Sequence, residues 1–108
     1  MVINGLHGKY TGEINKKGEA HGKGTFSYNH NLWHGTFHDN NLDSYFYLTT
    51  PSGYIHIGEM RNGKWHGKKT VYFPNQREIK NEIYIKGKLV HSTIVAIKEA
   101  WFRAHLAH

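Results

Sequence analysis

The sequence predicts an all-β protein: an elongated, twisted single-layer antiparallel sheet of successive β-hairpins with one C-terminal capping α-helix. Its 108 residues include seven Tyr, five Phe, three Trp and 12 Gly, a composition typical of pleated strands joined by tight turns. A pattern of large residues and glycines returns every 23 residues, as in repeat proteins. Near the C-terminus the apolar period changes from two to about 3.6, which predicts a helix there.

The repeat consists of a large residue followed two positions later by a small or turn-forming one. Stepping by 23 residues gives the pairs Tyr10 and Gly12, Trp33 and Gly35, His56 and Gly58, and Ile79 and Asn81. After glycine, asparagine is the residue that best tolerates unusual backbone angles. We therefore predict an array of about three to four units over residues 1–90, with the three glycines at equivalent sheet positions.

Each unit is predicted to form a hairpin. Residues 9–14 alternate between the two faces of a strand, and residues 78–85 do so more clearly. In the second of these strands, one face carries Ile79, Ile83 and Ile85 and the other carries Glu78, Lys80 and Glu82. Turns are indicated by Gly, Asn, Asp and Pro within residues 16–18, 29–31, 39–41, 51–53, 62–63 and 74–75. Tight turns between short strands favour antiparallel pairing.

The C-terminal unit, residues 91–108, has the pattern of an amphipathic helix. Ser92 is a suitable N-cap for a helix of about residues 92–106. Ile94, Ile97 and Trp101 form an apolar stripe that is too wide for a helix standing free in water. The helix is therefore expected to dock, either as a cap on the last hairpin and its open edge or as a dimer or partner-binding surface.

The first unit resembles the MORN repeat in the motif Tyr10-x-Gly12-Glu13-x4-Gly18-x2-His21-Gly22-x-Gly24-Thr25-x2-Tyr28. Residues 58–67 are a second match, and the chain is also similar to the variant MORN repeats of bacterial YwqK-type antitoxins. The resemblance covers about residues 4–90. It implies successive hairpins in an elongated, twisted sheet with a groove, and roles as a scaffold, a dimerisation module or a phospholipid binder.

Composition narrows the classes of function. The chain has no cysteine, which excludes disulfides, thiolate catalysis and Cys-based metal sites. Its first residues lack the pattern of a secretory signal, and no stretch approaches the roughly 20 apolar residues of a membrane-spanning helix. The protein is therefore expected to be soluble and cytoplasmic.

The net charge of +6 is confined to residues 61–88, where eight basic residues face only Glu78 and Glu82. A basic surface is therefore predicted, formed by Arg61, Lys64, Lys68, Lys69, Arg77, Lys80, Lys86 and Lys88. This surface is either a solvated face, a site for an acidic protein, or a site for nucleic acid or an anionic membrane. A homodimer through the sheet edge or the C-terminal helix is a further alternative.

The ten histidines do not form a metal-binding pattern in the sequence. His30, His34 and His38 are four residues apart, which on a strand separates neighbouring members by about 13 Å, too far for one ion. His21 and His66 lie in the repeat motif and are expected to stabilise turns. Nucleophile elbows, zinc-protease motifs and phosphate loops are missing, so we predict no enzyme activity, metal or cofactor.

The aromatic residues are the strongest binding candidates. A single-layer sheet cannot cover both of its faces, and Tyr and Trp are common anchors at protein interfaces. The predicted partner-binding residues are Tyr10, Trp33, Phe37, Tyr54, Trp65 and Tyr72. The predicted function is a small protein-binding module that acts as an adaptor, an inhibitor or an antitoxin-like protein through an aromatic groove. The alternative is recruitment to anionic phospholipid or nucleic acid through residues 61–88.

Overall fold

Alternating side chains and short turns fold most of the chain into one antiparallel sheet. The computed structural model describes residues 1–96. Its strands are β1 (Val2–Ile3), β2 (Leu6–His7), β3 (Lys9–Ile14), β4 (Ala20–Tyr28), β5 (Asn31–His38), β6 (Asn41–Thr49), β7 (Ile55–Arg61), β8 (Lys64–Tyr72), β9 (Glu78–Ile85) and β10 (Lys88–Ala96). Strands β3 to β10 form an eight-stranded sheet in chain order, and β1 pairs with β2. The predicted all-β sheet of successive antiparallel hairpins is confirmed, and the molecule measures 47 × 29 × 21 Å.

Turn chemistry sets the hairpins. Residues 29–30, 39–40, 62–63 and 86–87 are two-residue connections in which both residues have positive φ, as a type I′ turn requires. Asn, Asp and Gly supply most of these positions because they tolerate left-handed backbone angles. Five-residue loops join β3 to β4, β6 to β7 and β8 to β9. The turns at 39–40, 62–63 and 86–87 therefore lie at one end of the sheet, here called the turn end.

The 23-residue register is confirmed for three of its four positions. Gly12 pairs with Gly24, Gly24 with Gly35, Gly35 with Phe46 and Phe46 with Gly58, so one row crosses five strands. Gly58 continues the row to Lys69, but Lys69 pairs with Glu82 and not with Asn81. Asn81 is therefore displaced by one residue from the glycine row.

One face of the sheet, here called the inner face, holds the core. Successive strand residues point to opposite faces, so the row from Gly12 to Glu82 shares this face. The main cluster of buried apolar side chains is Ile3, Ala20, Phe26, Phe37, Leu42, Phe46 and Met60. On the opposite, outer face, Leu32, Tyr47, Ile57 and Ile83 are exposed.

The N-terminal hairpin β1–β2 lies against this core. Ile3 is fully buried in the cluster. In the turn of the same hairpin, Asn4 Nδ2 donates to Asn41 Oδ1 at 3.0 Å, and Asn4 Oδ1 accepts from the Leu42 backbone N–H at 2.8 Å. The eight-stranded sheet therefore carries a small second layer over part of its inner face.

Successive hairpins are also joined by backbone hydrogen bonds at the turn end. Asn40 N donates to Ala20 O at 2.9 Å, Gly63 N to Leu42 O at 3.1 Å and Gly87 N to Trp65 O at 3.2 Å. In each case the second residue of a turn contacts the start of the preceding hairpin's return strand. These bonds do not depend on side chains, which is why turns of different sequence occupy equivalent positions.

The C-terminal prediction is wrong where the structure tests it. Residues 92–96 belong to β10, where Ser92 pairs with Glu82 and is not a helix N-cap. Pairing with β9 supplies backbone partners that outweigh the helical spacing of the apolar residues. The rest of the predicted helix lies outside the described residues. Within residues 1–96 there is no helix that could span a membrane.

Candidate functional site

Two of the predicted anchors, Trp33 and Trp65, meet on the inner face. Their strands, β5 and β8, are three strand spacings apart, about 14 Å on a flat sheet. Their ring centroids are nevertheless only 5.9 Å apart, with an interplanar angle of 33°. The rings therefore lean toward each other over β6 and β7. Both side chains pack against the core while remaining partly exposed, so they form a tryptophan pair that a partner can reach.

His56 adds a third flat ring to this pair. It stacks on Trp65 at 6.4 Å between centroids and 25° between planes. Burial lowers the pKa of His56 to about 4, and the positive charge of Lys69 contributes to the same shift. His56 is therefore neutral at physiological pH. Among the described residues, its buried Nδ1 and the buried Trp33 Nε1 have no hydrogen-bond partner.

A buried ion-pair cluster lies beside the tryptophans. Glu82 Oε1 lies 3.4 Å from Lys69 Nζ, and Glu82 Oε2 lies 3.2 Å from Lys80 Nζ. Tyr84 also donates its hydroxyl hydrogen to Glu82 at 3.2 Å. The Lys69 ammonium lies 4.5 Å from the Trp65 ring centroid, a distance suited to cation–π attraction. The cluster fixes the position of Trp65 from below.

The ionisation of this cluster follows from burial and charge together. Burial lowers the pKa of Lys69, and the attraction of Glu82 opposes that shift without cancelling it. Burial alone raises the pKa of Glu82, but hydrogen bonding and the charges of Lys80 and Lys69 outweigh it and hold that pKa below its ordinary value. Glu82 is therefore ionised at neutral pH and neutralises the lysines beside it.

The predicted basic surface divides into separate parts. Lys69 is only 6% exposed, so it belongs to the interior and not to that surface, because the Glu82 carboxylate compensates its burial. Lys80 is also paired with Glu82 on the inner face. Lys68 is exposed on β8, and Arg77 is exposed in the loop at the opposite end of the sheet from the turn end.

The remaining basic residues converge at the turn end. Arg61, Lys64 and Lys86 line one cavity between the turns at 62–63 and 86–87, together with His66 and Trp65. Lys88 is also exposed and directly follows the second turn. Arg61 donates to the Glu59 carboxylate at 2.9 Å. Trp65 therefore borders both the tryptophan pair and this basic cavity.

The other predicted aromatic anchors do not join the tryptophan pair. Phe37 is 1% exposed in the core, where the ring of Tyr10 packs edge-on against it at 5.0 Å, so Phe37 cannot contact a partner. Tyr54 packs on Phe73 at 5.3 Å. Tyr72 pairs with Ile55 and therefore shares the outer face. A single strip of six aromatic residues is not present.

Two features of this region were missed from the sequence. Glu82 and Tyr84, which hold the lysines, carry no motif, although Glu82 lies in the clear alternation of β9. The exposed outer-face residues also escaped prediction. Among them, Tyr47 pairs directly with Ile57, and the alternation of β6 and β7 is the signal that places both on one face.

A second cluster lies at the turn end of β4 and β5. His21 Nδ1 is 3.1 Å from Asp39 Oδ1, and His38 Nε2 is 3.5 Å from Asp39 Oδ2. Asn15 donates a hydrogen bond to the Asp39 carboxylate, which holds the pKa of Asp39 below its ordinary value. The predicted role of His21 in a turn agrees with its contact to Asp39. Within residues 1–96, no such contact is visible for His66.

A scan against protein-family models finds no match to this chain, and a search of curated proteins finds none either.

Proposed function

We propose that the chain is a non-catalytic, cytoplasmic protein-binding module in which Trp33 and Trp65 anchor a partner. The observation that carries this proposal is the tryptophan pair itself. Two large rings 5.9 Å apart remain partly exposed on the inner face. Partly buried tryptophans on a rigid scaffold are typical energetic anchors at protein interfaces, because they contribute large contact areas at a small cost in side-chain entropy.

The polar groups beside the pair favour a partner with its own polar groups. Trp33 Nε1 is a hydrogen-bond donor, and neutral His56 offers a donor or an acceptor according to its tautomer. A buried polar atom without a partner costs about 1–3 kcal/mol. A carbonyl or carboxylate that reaches Trp33 Nε1 recovers part of this cost. Binding through the pair is thus expected to combine ring stacking with a small number of directed hydrogen bonds.

The basic cavity gives this surface an electrostatic direction. Arg61, Lys64 and Lys86 lie around Trp65 at the turn end. Exposed charges near an interface mainly accelerate encounter, whereas buried anchors determine dissociation. The partner is therefore expected to carry an acidic surface that approaches the turn end while its apolar groups contact the tryptophans. The resemblance to MORN repeats and to YwqK-type antitoxins agrees with an adaptor, inhibitor or antitoxin-like role.

The test compares anchors with matched exposed residues. A pull-down from the native host with mass spectrometry identifies the partner, and Kd is then measured for Trp33→Ala and Trp65→Ala. Each is expected to cost about 2–4 kcal/mol, or roughly 30- to 1,000-fold in Kd. Tyr45→Ala is the control, since Tyr45 is 68% exposed on the outer face. Far-UV circular dichroism verifies the fold, and Trp65→Phe, which keeps a ring over Lys69, separates binding from folding.

The basic cavity is tested separately by Arg61→Glu combined with Lys64→Glu. These substitutions are expected to slow association and to flatten its dependence on salt, while dissociation changes little. Binding that ignores both tryptophans and disappears at moderate salt contradicts the protein-partner proposal.

Recruitment to an anionic ligand is the second candidate, and the convergence of Arg61, Lys64 and Lys86 on one cavity favours it. The ligand is then nucleic acid or an anionic phospholipid. Charge-driven binding of nucleic acid weakens steeply with salt, and each basic residue near an anionic membrane contributes about 1 kcal/mol. This candidate predicts that the charge reversals outweigh the tryptophan substitutions. Vesicles with anionic lipid and single-stranded oligonucleotides distinguish the two ligands.

A homodimer through the sheet edge is proposed as a further assembly. Every residue of β10 is exposed, and within the described part of the chain β10 pairs with β9 alone. An exposed edge strand presents unpaired backbone groups that a second chain can extend. Sedimentation equilibrium over a range of protein concentrations tests for this dimer.

A further inference from the structure

His21, His38 and Asp39 form a compact group on neighbouring strands, away from the tryptophan pair. One ligand-type atom from each residue lies within 4.8 Å of the others. The pairing of Gly22 with Phe37 places His21 on β4 next to His38 on β5, and the two imidazole centroids are 5.0 Å apart. Asp39 follows immediately in the turn. Three residues from two strands are thus brought together by the register of the sheet.

We propose that His21, His38 and Asp39 bind a divalent transition-metal ion of the Zn²⁺ type. Zinc is bound by imidazole nitrogen and carboxylate oxygen at about 2.0–2.2 Å. Tetrahedral ligands at these bond lengths lie roughly 3.3–3.5 Å apart. The observed separations of 3.1 Å and 3.5 Å between imidazole nitrogens and carboxylate oxygens bracket this value. Small side-chain rotations are therefore enough to bring all three ligands to one ion.

The chemistry of the ligands selects the class of metal. Two imidazoles and one carboxylate suit Zn²⁺, Co²⁺ or Ni²⁺, whereas Ca²⁺ and Mg²⁺ require sites built mainly of oxygen. The side chains of His21, His38 and Asp39 are 43–63% exposed, so water completes the coordination. A solvent-exposed three-ligand site of this kind is expected to bind more weakly than a closed structural zinc site.

The carboxylate is already positioned by its surroundings. Asn15 Nδ2 donates to Asp39 Oδ1 at 2.9 Å. Asn15 is itself held, because its Oδ1 accepts from the backbone N–H groups of Lys17 and Glu19. Such outer partners orient ligating groups and raise metal affinity. The positive φ of Asp39 fixes the turn from which the carboxylate projects.

The proposed site joins two successive hairpins. His21 begins the return strand of the first hairpin, while His38 and Asp39 lie in the second hairpin. Stepping by 23 residues replaces the three ligands with Ser44, Arg61 and Asn62. The next repeat therefore lacks metal ligands at these positions, and the expected stoichiometry is one ion per chain at this site.

The experiment uses the full chain without an affinity tag, so that no added histidines compete. Isothermal titration with ZnCl₂ gives stoichiometry and affinity, and the visible spectrum of bound Co²⁺ reports on its coordination geometry. Each of His21→Ala, His38→Ala and Asp39→Asn is expected to weaken binding at least tenfold. Asn keeps the turn, because the neighbouring Asn40 already adopts positive φ.

His34→Ala is the matched control, because His34 lies on β5 and bonds to Thr25 outside the group. It is expected to change affinity less than twofold. The proposal is overturned if wild type shows no one-to-one binding, or if His21→Ala and His38→Ala bind Zn²⁺ as wild type does. It is also overturned if His34→Ala weakens binding as much as they do, which indicates general surface binding by histidines.

Discussion

On the inner face, single glycines leave the space that aromatic rings occupy. A Cβ atom built at Gly35 lies 2.6 Å from Tyr45 O and 2.7 Å from the ring of Phe46. The first of these neighbours is backbone and the second is a buried ring, so neither can move cheaply. At Gly58 the nearest atoms, on Lys68 and Lys69, are 3.1–3.2 Å away. The same sheet row therefore tolerates a side chain to different degrees.

We expect Gly35→Ala to destabilise the protein by about 2–3 kcal/mol through overpacking, and Gly35→Val to cost more. Gly58→Ala is the matched variant. It is expected to cost less, because its Cβ requires shifts of only a few tenths of an ångström. Urea unfolding of the variants measures the difference. Equal stability of Gly35→Ala and wild type contradicts the packing described for this row.

His56 makes stability depend on pH. Its pKa is about 4 in the folded protein and 6.5 ordinarily, so the unfolded chain binds more protons between these values. Stability is therefore fully present above pH 6.5 and falls as the pH drops toward 4. Between pH 7.5 and 5 the expected loss from this group is about 2 kcal/mol. Glu82, whose pKa is lowered, stays ionised over this range.

The contribution of His56 is measured by urea unfolding at pH 7.5 and 5. In His56→Phe the ring and its stacking on Trp65 are kept while the titrating group is removed, so most of the pH dependence is expected to disappear. His91→Phe, at an exposed position on β10, is expected to leave it unchanged. A His56→Phe variant that loses as much stability as wild type contradicts the assignment.

Among the elements, the two-residue turns differ in how well their residues fit. In the turn at 62–63, Asn62 and Gly63 are the preferred pair for a type I′ turn. In the turn at 29–30, His30 has φ of +67°. This backbone conformation costs an ordinary L-residue roughly 1–2 kcal/mol. The β4–β5 turn is therefore less favourable than its counterpart between β7 and β8.

His30→Gly is expected to stabilise the protein by about 1 kcal/mol, since glycine after Asn29 is the preferred sequence of a type I′ turn. Asn29→Gly is the control and is expected to have a small effect, because Asn already tolerates its φ of +52°. Thermal unfolding monitored by circular dichroism provides the measurement. A lower Tm for His30→Gly means that the histidine side chain contributes more than the backbone strain costs.

The elements also explain which parts of the fold the sequence could predict. The period of 23 places Gly12, Gly35 and Gly58 correctly because turns and strand lengths repeat. It fails at Asn81, where the pairing of Lys69 with Glu82 shifts the register by one residue. The helix prediction at Ser92 failed because strand pairing with β9 is a tertiary effect that local spacing does not contain.

The candidate sites were predictable to different extents. Trp33 and Trp65 were identified as binding residues from residue type alone, but their proximity depends on how side chains lean across strands. The burial of Lys69 depends on Glu82, which lies on the neighbouring strand. His21 and Asp39 meet only through the register of β4 and β5. Spacing along a single strand contains none of these cross-strand contacts.

At the scale of the whole molecule, the chain covers part of its core with its own N-terminus. Ile3 fills the cluster formed by residues of several hairpins. Asn4 fastens the small hairpin to Asn41 and Leu42. The inner face around Trp33 and Trp65 remains partly exposed. Coverage of one region and exposure of another gives the sheet a stable part and a part suited to binding.

Ile3→Ala is expected to lower the free energy of unfolding by about 2–4 kcal/mol, through lost burial and a cavity in the core. Val2→Ala is the matched variant. Val2 is 43% exposed, so its truncation is expected to change stability by less than about 0.5 kcal/mol. Guanidinium unfolding measures both variants. Equal effects at the two positions contradict the role of β1 in the core.

The backbone bonds from each turn to the preceding hairpin have a consequence for how the array assembles and can grow. Because Asn40, Gly63 and Gly87 donate through main-chain N–H groups, each hairpin docks on its predecessor by a joint that any sequence with the same turn geometry supplies. Coupling is then between nearest neighbours, as in a one-dimensional chain of units. Folding can propagate hairpin by hairpin with short loop closures. A duplicated hairpin unit inserted between β6 and β7 should lengthen the sheet without redesign of its neighbours.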